Sequence, residues 1–440
     1  MDDSTNQGRA LPVPAGRLNR IGRLGGLGAG VAGRAALGGL AELSRGRKPV
    51  LRDLLLTPGN VRRVTDQLAQ MRGAAMKLGQ LVSMDTGDVL PPELAGIMAR
   101  LRDDAHTMPP AQLKQVLGRE WPQGWLGRFR SFDVNPIAAA SIGQVHRAVL
   151  RDGRELAVKV QYPGVAGSID SDVANVGALI RMSGLLPKGF DLKPYLAEAA
   201  AQLHEETDYV REGRWLGWWH DRMAGDGRFA VPAPVPEWTT PHVLAMDYVA
   251  SKPIEAAADA PQEVRDRIVT DLIELTLQEL FAFGVMQTDP NFANYRWQPD
   301  TGRIVLLDFG ATREIPAAVA DLHRRMLRAG LDGDADGLRD TTRAMGFVTS
   351  DTDPDHAERI DAMVATMFDD LRRGGPFDMA ATDLPERMRD QGIALAEAGY
   401  VPPPLPVDIL HLQRKFGGIF LLGARLRARV PAAAMLGRFV

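Results

Sequence analysis

The segment Phe283–Arg313, FGVMQTDPNFANYRWQPDTGRIVLLDFGATR, constrains what this chain can fold into more than any other stretch. Asp289 is followed five residues later by Asn294 and, fourteen residues beyond that, by Asp308-Phe309-Gly310. Phosphoryl transfer needs such a set: one carboxylate near the attacking hydroxyl or water, and an amide plus a second carboxylate to hold Mg2+ against nucleotide phosphates. Asp289, Asn294 and Asp308 fit those roles in that order. After Arg303, the short apolar run Ile304-Val305-Leu306-Leu307 predicts a strand that ends on Asp308.

A second set of motifs lies upstream. Asp152-Gly153 between apolar runs predicts a tight hairpin, and Leu156-Ala157-Val158-Lys159-Val160 reads as its returning strand. The Ala-Val-Lys there resembles the protein-kinase strand whose lysine pairs with the α- and β-phosphates of ATP. The loop before it aligns with the phosphate-covering G-x-G-x-x-G-x-V. Here it reads Ala138-Ala139-Ala140-Ser141-Ile142-Gly143-Gln144-Val145, so two of the three glycines are alanine. Alanine costs roughly 1–2 kcal/mol in the left-handed backbone angles that glycine adopts freely, so a stiffer, differently seated loop is expected. A strand over His242–Met246 leads to a hinge at Asp247-Tyr248-Val249, making Met246 and Tyr248 nucleotide-binding candidates. Arg265–Phe283 reads as a long amphipathic helix delivering the chain to Asp289.

Charged residues on helical patterns are harder to read. Lys77 sits in a mostly apolar helical pattern between Thr65 and Arg102, where a lysine ordinarily reaches out to water. Glu205-Glu206-Thr207-Asp208-Tyr209-Val210-Arg211-Glu212 also reads as helix. At about 100° per residue, Asp208 and Glu212 share a face while Glu206 points about 240° from Glu212. One helix would thus offer acids to two different lysines. Beyond Gly310 no A-P-E motif and no long activation segment follow; helices are expected over 317–329, 356–373 and 407–426.

Composition narrows the classes. Hydrophobic content of 45% with 24% charged residues is ordinary for a globular chain. A net charge of −3 gives no general attraction to nucleic acid, which is not expected as a partner. The absence of cysteine excludes disulfides, thiolate zinc sites and a cysteine nucleophile. Met1-Asp2-Asp3-Ser4 is acidic where a secretory signal or simple transit peptide would be basic. Residues 1–16 are polar and Pro/Gly-rich, and disorder is expected. Residues 17–48 are rich in Gly, Ala and Arg; Gly22, Gly26, Gly30 and Gly38 share a helical register that suits close packing or an anionic membrane surface. Its uncharged run Leu24–Gly33 is too short to span a bilayer, which takes about 20 apolar residues.

Together, Lys77-x-Gly79-Gln80, Ala138-Ala139-Ala140-Ser141, the Lys159 strand, Glu206-x-Asp208, Thr288-Asp289-Pro290-Asn291 through Asn294, and Asp308-Phe309-Gly310 resemble the UbiB-type atypical kinases linked to coenzyme Q biosynthesis. The resemblance runs from about Arg17 to the C-terminus. It implies an α+β, atypical kinase-like bilobal fold: a helical extension over 49–125, an N-lobe over 126–250 and a C-lobe over 251–440. It further implies that the Lys77 helix crosses the active-site face, that Glu206 and Asp208 engage it, and that Glu212 partners Lys159. Ala138, Ala139, Ala140, Ser141, Gly143, Val145, Lys159, Met246 and Tyr248 would bind ATP or ADP, Asn294 and Asp308 would hold Mg2+, and Asp289 would act on the acceptor. The implied activity is ATP hydrolysis or small-molecule phosphorylation supporting quinone or lipid metabolism. Anionic lipid, isoprenoid-quinone precursors and biosynthetic proteins are the expected partners. The expected location is the cytoplasmic face of a bacterial membrane, or the mitochondrial matrix in a eukaryote. A nucleotide-switched scaffold is the alternative.

Overall fold

The computed structural model describes residues 71, 73–75, 77, 107–183 and 191–440. The expectations for 1–16 and 17–48, for Gly79-Gln80 and for the helix opened by Pro91-Pro92 lie outside the described residues. In chain order the strands used below are β1 (Phe129–Phe132), β2 (Ala138–Ala139), β3 (Gly143–Leu150), β4 (Glu155–Gln161), β5 (Phe229–Ala230), β6 (Val243–Asp247), β7 (Lys252–Pro253), β8 (Val285–Gln287), β9 (Tyr295–Trp297), β10 (Ile304–Leu306) and β11 (Thr312–Glu314). The helices are α1 (Pro110–Glu120), α2 (Ile169–Ser183), α3 (Lys193–Glu206), α4 (Tyr209–Met223), α5 (Gln262–Gln278), α6 (Ala317–Asp332), α7 (Ala335–Ala344), α8 (Pro354–Arg372), α9 (Leu384–Glu397) and α10 (Val407–Arg425). The described residues up to Val210, with Val235–Tyr248, form one compact unit; Arg211–Pro234 with Val249–Val440 form a second.

The first unit is built on an antiparallel sheet ordered β1-β3-β4-β6, with β2 paired to β3. The period of two along β4 sends Leu156, Val158 and Val160 to one face, where they pack with Leu113, Leu117, Trp121, Phe129, Ala148, Val243 and Ala245. Burying each such aliphatic side chain stabilises the fold by about 1.5–3 kcal/mol. The opposite face of β4 carries Ala157, Lys159 and Gln161, so the register is set by the apolar row and the lysine follows from it. The hairpin at Asp152-Gly153 forms as expected, with Gly153 at φ 95°.

The second unit holds a sheet ordered β5-β10-β9-β7 and a β8–β11 pair, surrounded by α5–α10. Helix α5 ends in a π-helical turn, Glu279–Phe283, closed by Gly284 at φ 64°. Leu280, Met286, Ile315, Ala320 and Leu412 form the core beneath that turn. Helices α7 and α9, which sequence periodicity did not single out, complete this unit.

One local expectation is corrected. Residues 205–212 are not one helix: α3 ends at Glu206 and α4 begins at Tyr209. The Thr207 hydroxyl donates to the His204 carbonyl and the Asp208 amide to the Glu205 carbonyl. Such short bonds compete with the helical ladder and end it. The separation of Glu206 from Glu212 therefore comes from a break in the chain's course, not from helical phase.

Candidate active site

In the first unit, Lys159 is buried in β4, paired in register with Val145 on β3 and Leu244 on β6. Its ammonium lies 5.1 Å from the centroid of the Tyr209 ring. Met246, opposite Ala157 in register, shares that face of the sheet. Tyr248 donates its amide to the Glu155 carbonyl at 2.8 Å, and its ring lies under the Arg147 guanidinium at 4.5 Å.

The alanine loop departs from the strain expected of it. Among described residues other than glycine, only Asp308 and Arg427 have positive φ, so Ala138, Ala139 and Ala140 avoid left-handed angles altogether. They form a hairpin instead: Ala138 pairs with Val145, Ala139 with Gln144, and the Ala140 amide donates to the Gly143 carbonyl at 2.8 Å. Gly143 is needed for space rather than for φ. A Cβ there would stand 2.5 Å from the Val160 carbonyl oxygen and 2.9 Å from the Tyr209 hydroxyl.

Three of the sequence motifs meet at this hairpin. Lys77 is 5% exposed, and its ammonium forms an ion pair with Glu206, which also accepts the Ser141 hydroxyl at 3.4 Å. The helical turn carrying Lys77 packs close to the hairpin, since a Cβ on Gly73 would lie 3.3 Å from Ile142 and 3.6 Å from the Ser141 carbonyl. A lysine that periodicity alone would leave in water is thus a buried partner. Asp208 is exposed, two residues past the pair, and Glu212 is buried in α4.

In the second unit, Asp289, Asn294 and Asp308 are brought together by pairing rather than by helical spacing. Leu306 of β10 lies opposite Tyr295 of β9, and the Leu307 amide donates to the Asn294 carbonyl at 2.8 Å. The Thr288 hydroxyl and amide both donate to the Ala311 carbonyl, and the Gln287 side-chain amide donates to the Asp308 carbonyl at 3.1 Å. Gln287 stands where many kinases have histidine, and it ties the two loops together. Asn294 donates its side-chain amide to Asp289 Oδ2 at 3.0 Å, whereas Asp289 Oδ1 is buried without a hydrogen-bond partner. Asp308 sits at φ 61° with its Oδ1 accepting the Gly310 amide at 3.2 Å. Aspartate tolerates that conformation better than most residues, and its persistence at a site points to function.

Side chains that no motif flagged hold this turn. Arg211 donates to the Gly310 and Thr312 carbonyls, each at 2.6 Å. The Trp219 ring stacks on Phe309 with centroids 5.7 Å apart, and its Nε1 donates to the Thr312 hydroxyl. Buried Lys415 donates to the Gln287 carbonyl and the Tyr295 hydroxyl and pairs with Glu279. Burial pulls the Lys415 ammonium down, but Glu279 and Tyr295 outweigh it and hold it above its ordinary range. Burial pushes the Glu279 carboxyl up against the pull of Lys415. An arginine, a tryptophan or a lysine inside an amphipathic helix has no spacing signature that separates these roles from packing.

The oxygens of Asp308 and Asn294 are hard donors of the kind Mg2+ takes. Among the described residues there is no group of three or more His, Cys, Asp or Glu placed to hold a metal ion. With only two such donors here, a Mg2+ ion would need most of its ligands from outside the protein.

A strand lysine in a five-stranded antiparallel sheet, and an Asp-Asn pair beside an Asp-Phe-Gly turn, define a kinase-like phosphoryl-transfer protein. Comparison with known proteins agrees: residues 100–342 match the ABC1 atypical kinase-like domain, and the chain belongs to that family of atypical kinases. It is 37% identical over 426 residues to the mitochondrial atypical kinase COQ8 of Saccharomyces cerevisiae, spanning 96% of this chain and 84% of that protein. It is 36% identical over 440 residues to the mitochondrial atypical kinase coq-8 of Caenorhabditis elegans, spanning 57% of that longer protein. Among solved structures it is similar to Rv3197 of Mycobacterium tuberculosis, determined with erythromycin, at TM-score 0.60 and 26% identity, covering 86% of this chain and 95% of that one. No helix of the described residues is long and apolar enough to cross a membrane.

Proposed function

We propose that this protein is an Mg2+-dependent ATPase or small-molecule kinase that supports isoprenoid-quinone biosynthesis at a membrane. The observation that carries the reading is Asp289: one carboxylate oxygen is held by Asn294, and the other is buried with no hydrogen-bond partner in the protein. A pure scaffold has no chemical need for that arrangement.

In this reading Lys159 binds the α- and β-phosphates of ATP, and the hairpin from Ala138 to Val145, with Met246 and Tyr248, forms the nucleotide's bed. Asp308 and Asn294 hold Mg2+, which when bound neutralises charge on the transferring phosphoryl group. Asp289 orients the acceptor hydroxyl or water and takes its proton. Arg211 and Trp219 keep the Asp308 turn in the metal-holding conformation. Glu212 is the acid that the resemblance assigns to Lys159, and the Lys77–Glu206 pair, with Asp208 beside it, restricts access for protein substrates. Two of the relatives are mitochondrial atypical kinases by name, COQ8 and coq-8, and following the resemblance to the UbiB-type kinases a quinone precursor is the acceptor class we assign. Membrane contact would rest on residues 17–48.

The test is phosphate release from Mg-ATP by the purified protein, with and without anionic-lipid vesicles, alongside Asp308→Asn. Turnover that rises with lipid and is lost in the variant supports the reading. Unchanged hydrolysis in Asp308→Asn sinks the metal assignment, and nucleotide binding without turnover under any condition favours a nucleotide-switched scaffold.

A further inference from the structure

Helix α10 lies far along the chain from Asp289 and Asn294, yet it touches the loop that carries them, from Gln287 to Tyr295, at three points. Lys415 is 2% exposed, and its ammonium donates to the Gln287 carbonyl at 2.8 Å and the Tyr295 hydroxyl at 2.9 Å, with Glu279 Oε2 at 3.4 Å. Two of the three ammonium protons thus have hydrogen-bond acceptors, and Glu279 supplies the counter-charge. Gln287 ends β8 two residues before Asp289, and Tyr295 opens β9 immediately after Asn294. One cation therefore ties down both ends of the loop that carries Asp289 and Asn294.

The third point is Gly418, nearly one turn further along the same face of α10. A Cβ there would overlap the Pro290 side chain outright and stand 3.2 Å from the Pro290 carbonyl oxygen. Glycine lets the helix backbone lie directly against the loop residue next to Asp289. Leu412 and Phe416 anchor the helix by packing with Leu280, Met286 and Ile315. The charge is not there for stability: a buried ion pair is often no more stable than an apolar pair of similar volume. What an apolar pair cannot do is hold two acceptors in fixed directions from one atom, as the Lys415 ammonium does by donating to both.

We infer that Lys415 and Gly418 are positioning residues, and that α10 is a strut that holds Asp289 and Asn294 in register for phosphoryl transfer. The inference rests on the proposed reading of Asp289 as the acceptor-facing group. The strut leaves Asp289 Oδ1 without a protein partner because the loop cannot relax toward one.

The test compares Gly418→Ala, Lys415→Met, and Lys415→Met combined with Glu279→Gln in the full chain. In the combined variant neither buried charge is stranded, so folding and urea midpoint should return close to the parent. Phosphate release from Mg-ATP should nonetheless stay down roughly 10- to 100-fold in kcat, the scale expected for a misplaced catalytic group, with KM for ATP little changed. Amide hydrogen exchange over residues 288–295 should speed up at least about tenfold, confined to that segment. Recovery of kcat together with stability in the combined variant makes Lys415 merely structural and overturns the inference, as does unchanged exchange over 288–295. A parent protein without phosphate release, in which the variants still lose protection there, refutes the catalytic reading of Asp289 and leaves the strut standing.

Discussion

Replacing Lys77 by methionine tests whether the Lys77–Glu206 pair is the buried clamp it looks to be. The ammonium is almost sealed, at 6% side-chain exposure, and Glu206 is at 15%. Removing one partner of a buried pair typically costs about 3–5 kcal/mol, because the remaining charge is stranded. Glu206 keeps the Ser141 hydroxyl and some access to water, so Lys77→Met should lose about 3 kcal/mol, at the lower end of that range. Glu206→Gln strands the ammonium but leaves it an acceptor, and about 2 kcal/mol is expected. The double variant removes both charges and should fall about 1–2 kcal/mol short of the parent, giving a coupling of about 3–4 kcal/mol. Urea unfolding followed by far-UV circular dichroism measures all four proteins, and the midpoints can be compared if the m-values agree. A single-variant loss below about 0.5 kcal/mol, or effects that simply add, would refute the claim that the pair is desolvated and coupled.

Three further outcomes follow from other parts of the molecule. Asp308→Ala should be less stable than Asp308→Gly by about 1–2 kcal/mol, since only glycine occupies φ 61° without penalty; equal urea midpoints would show the turn to be unstrained. Gly143→Ala should lose about 1–3 kcal/mol as its methyl meets the Val160 carbonyl and the Tyr209 hydroxyl, and nucleotide binding measured by calorimetry should weaken with it; unchanged binding and stability would count against close packing at the hairpin. Burial holds His146 and His323 below the ordinary 6.5 despite backbone bonds to Asp133 and Val319 that raise them. Their folded values lie below their unfolded ones, so their stability contribution is complete above 6.5 and is lost as pH falls from there through the folded values. Unfolding midpoints should drop between about pH 7 and pH 5, less so in His146→Gln; a flat profile would contradict both burials.

The legible part of the site was the part carried by short, ordered motifs. Asp289, Asn294 and Asp308 could be singled out from their order and spacing, and the pairing of β9 and β10 brings them together; their roles toward Mg-nucleotide are the proposal made above. Lys159 was readable because a period-two apolar row fixes the face on which the intervening residues lie. Two physical arguments from sequence needed correction. Alanine in a glycine-rich alignment implied left-handed strain, but the loop closes as a hairpin that needs none. The acid-rich stretch implied one helix with two faces, but side-chain and backbone bonds at Thr207 and Asp208 break it.

Sequence by itself determined the family and the kinase-like sheet with its lysine, and it singled out the three groups we assign to Mg-nucleotide, because local periodicity and chemical necessity both act over short stretches of chain. Tertiary structure alone decided which distant groups hold those residues in place. Nothing within reach of Lys77 in the sequence names Glu206 and Ser141 as its neighbours, and nothing near Asp289 names Lys415 or Gly418. Such contacts span from about 65 to about 130 residues, and they form because buried charges must find partners and a close helix approach must find a glycine. Those demands are met only once the whole core has been packed.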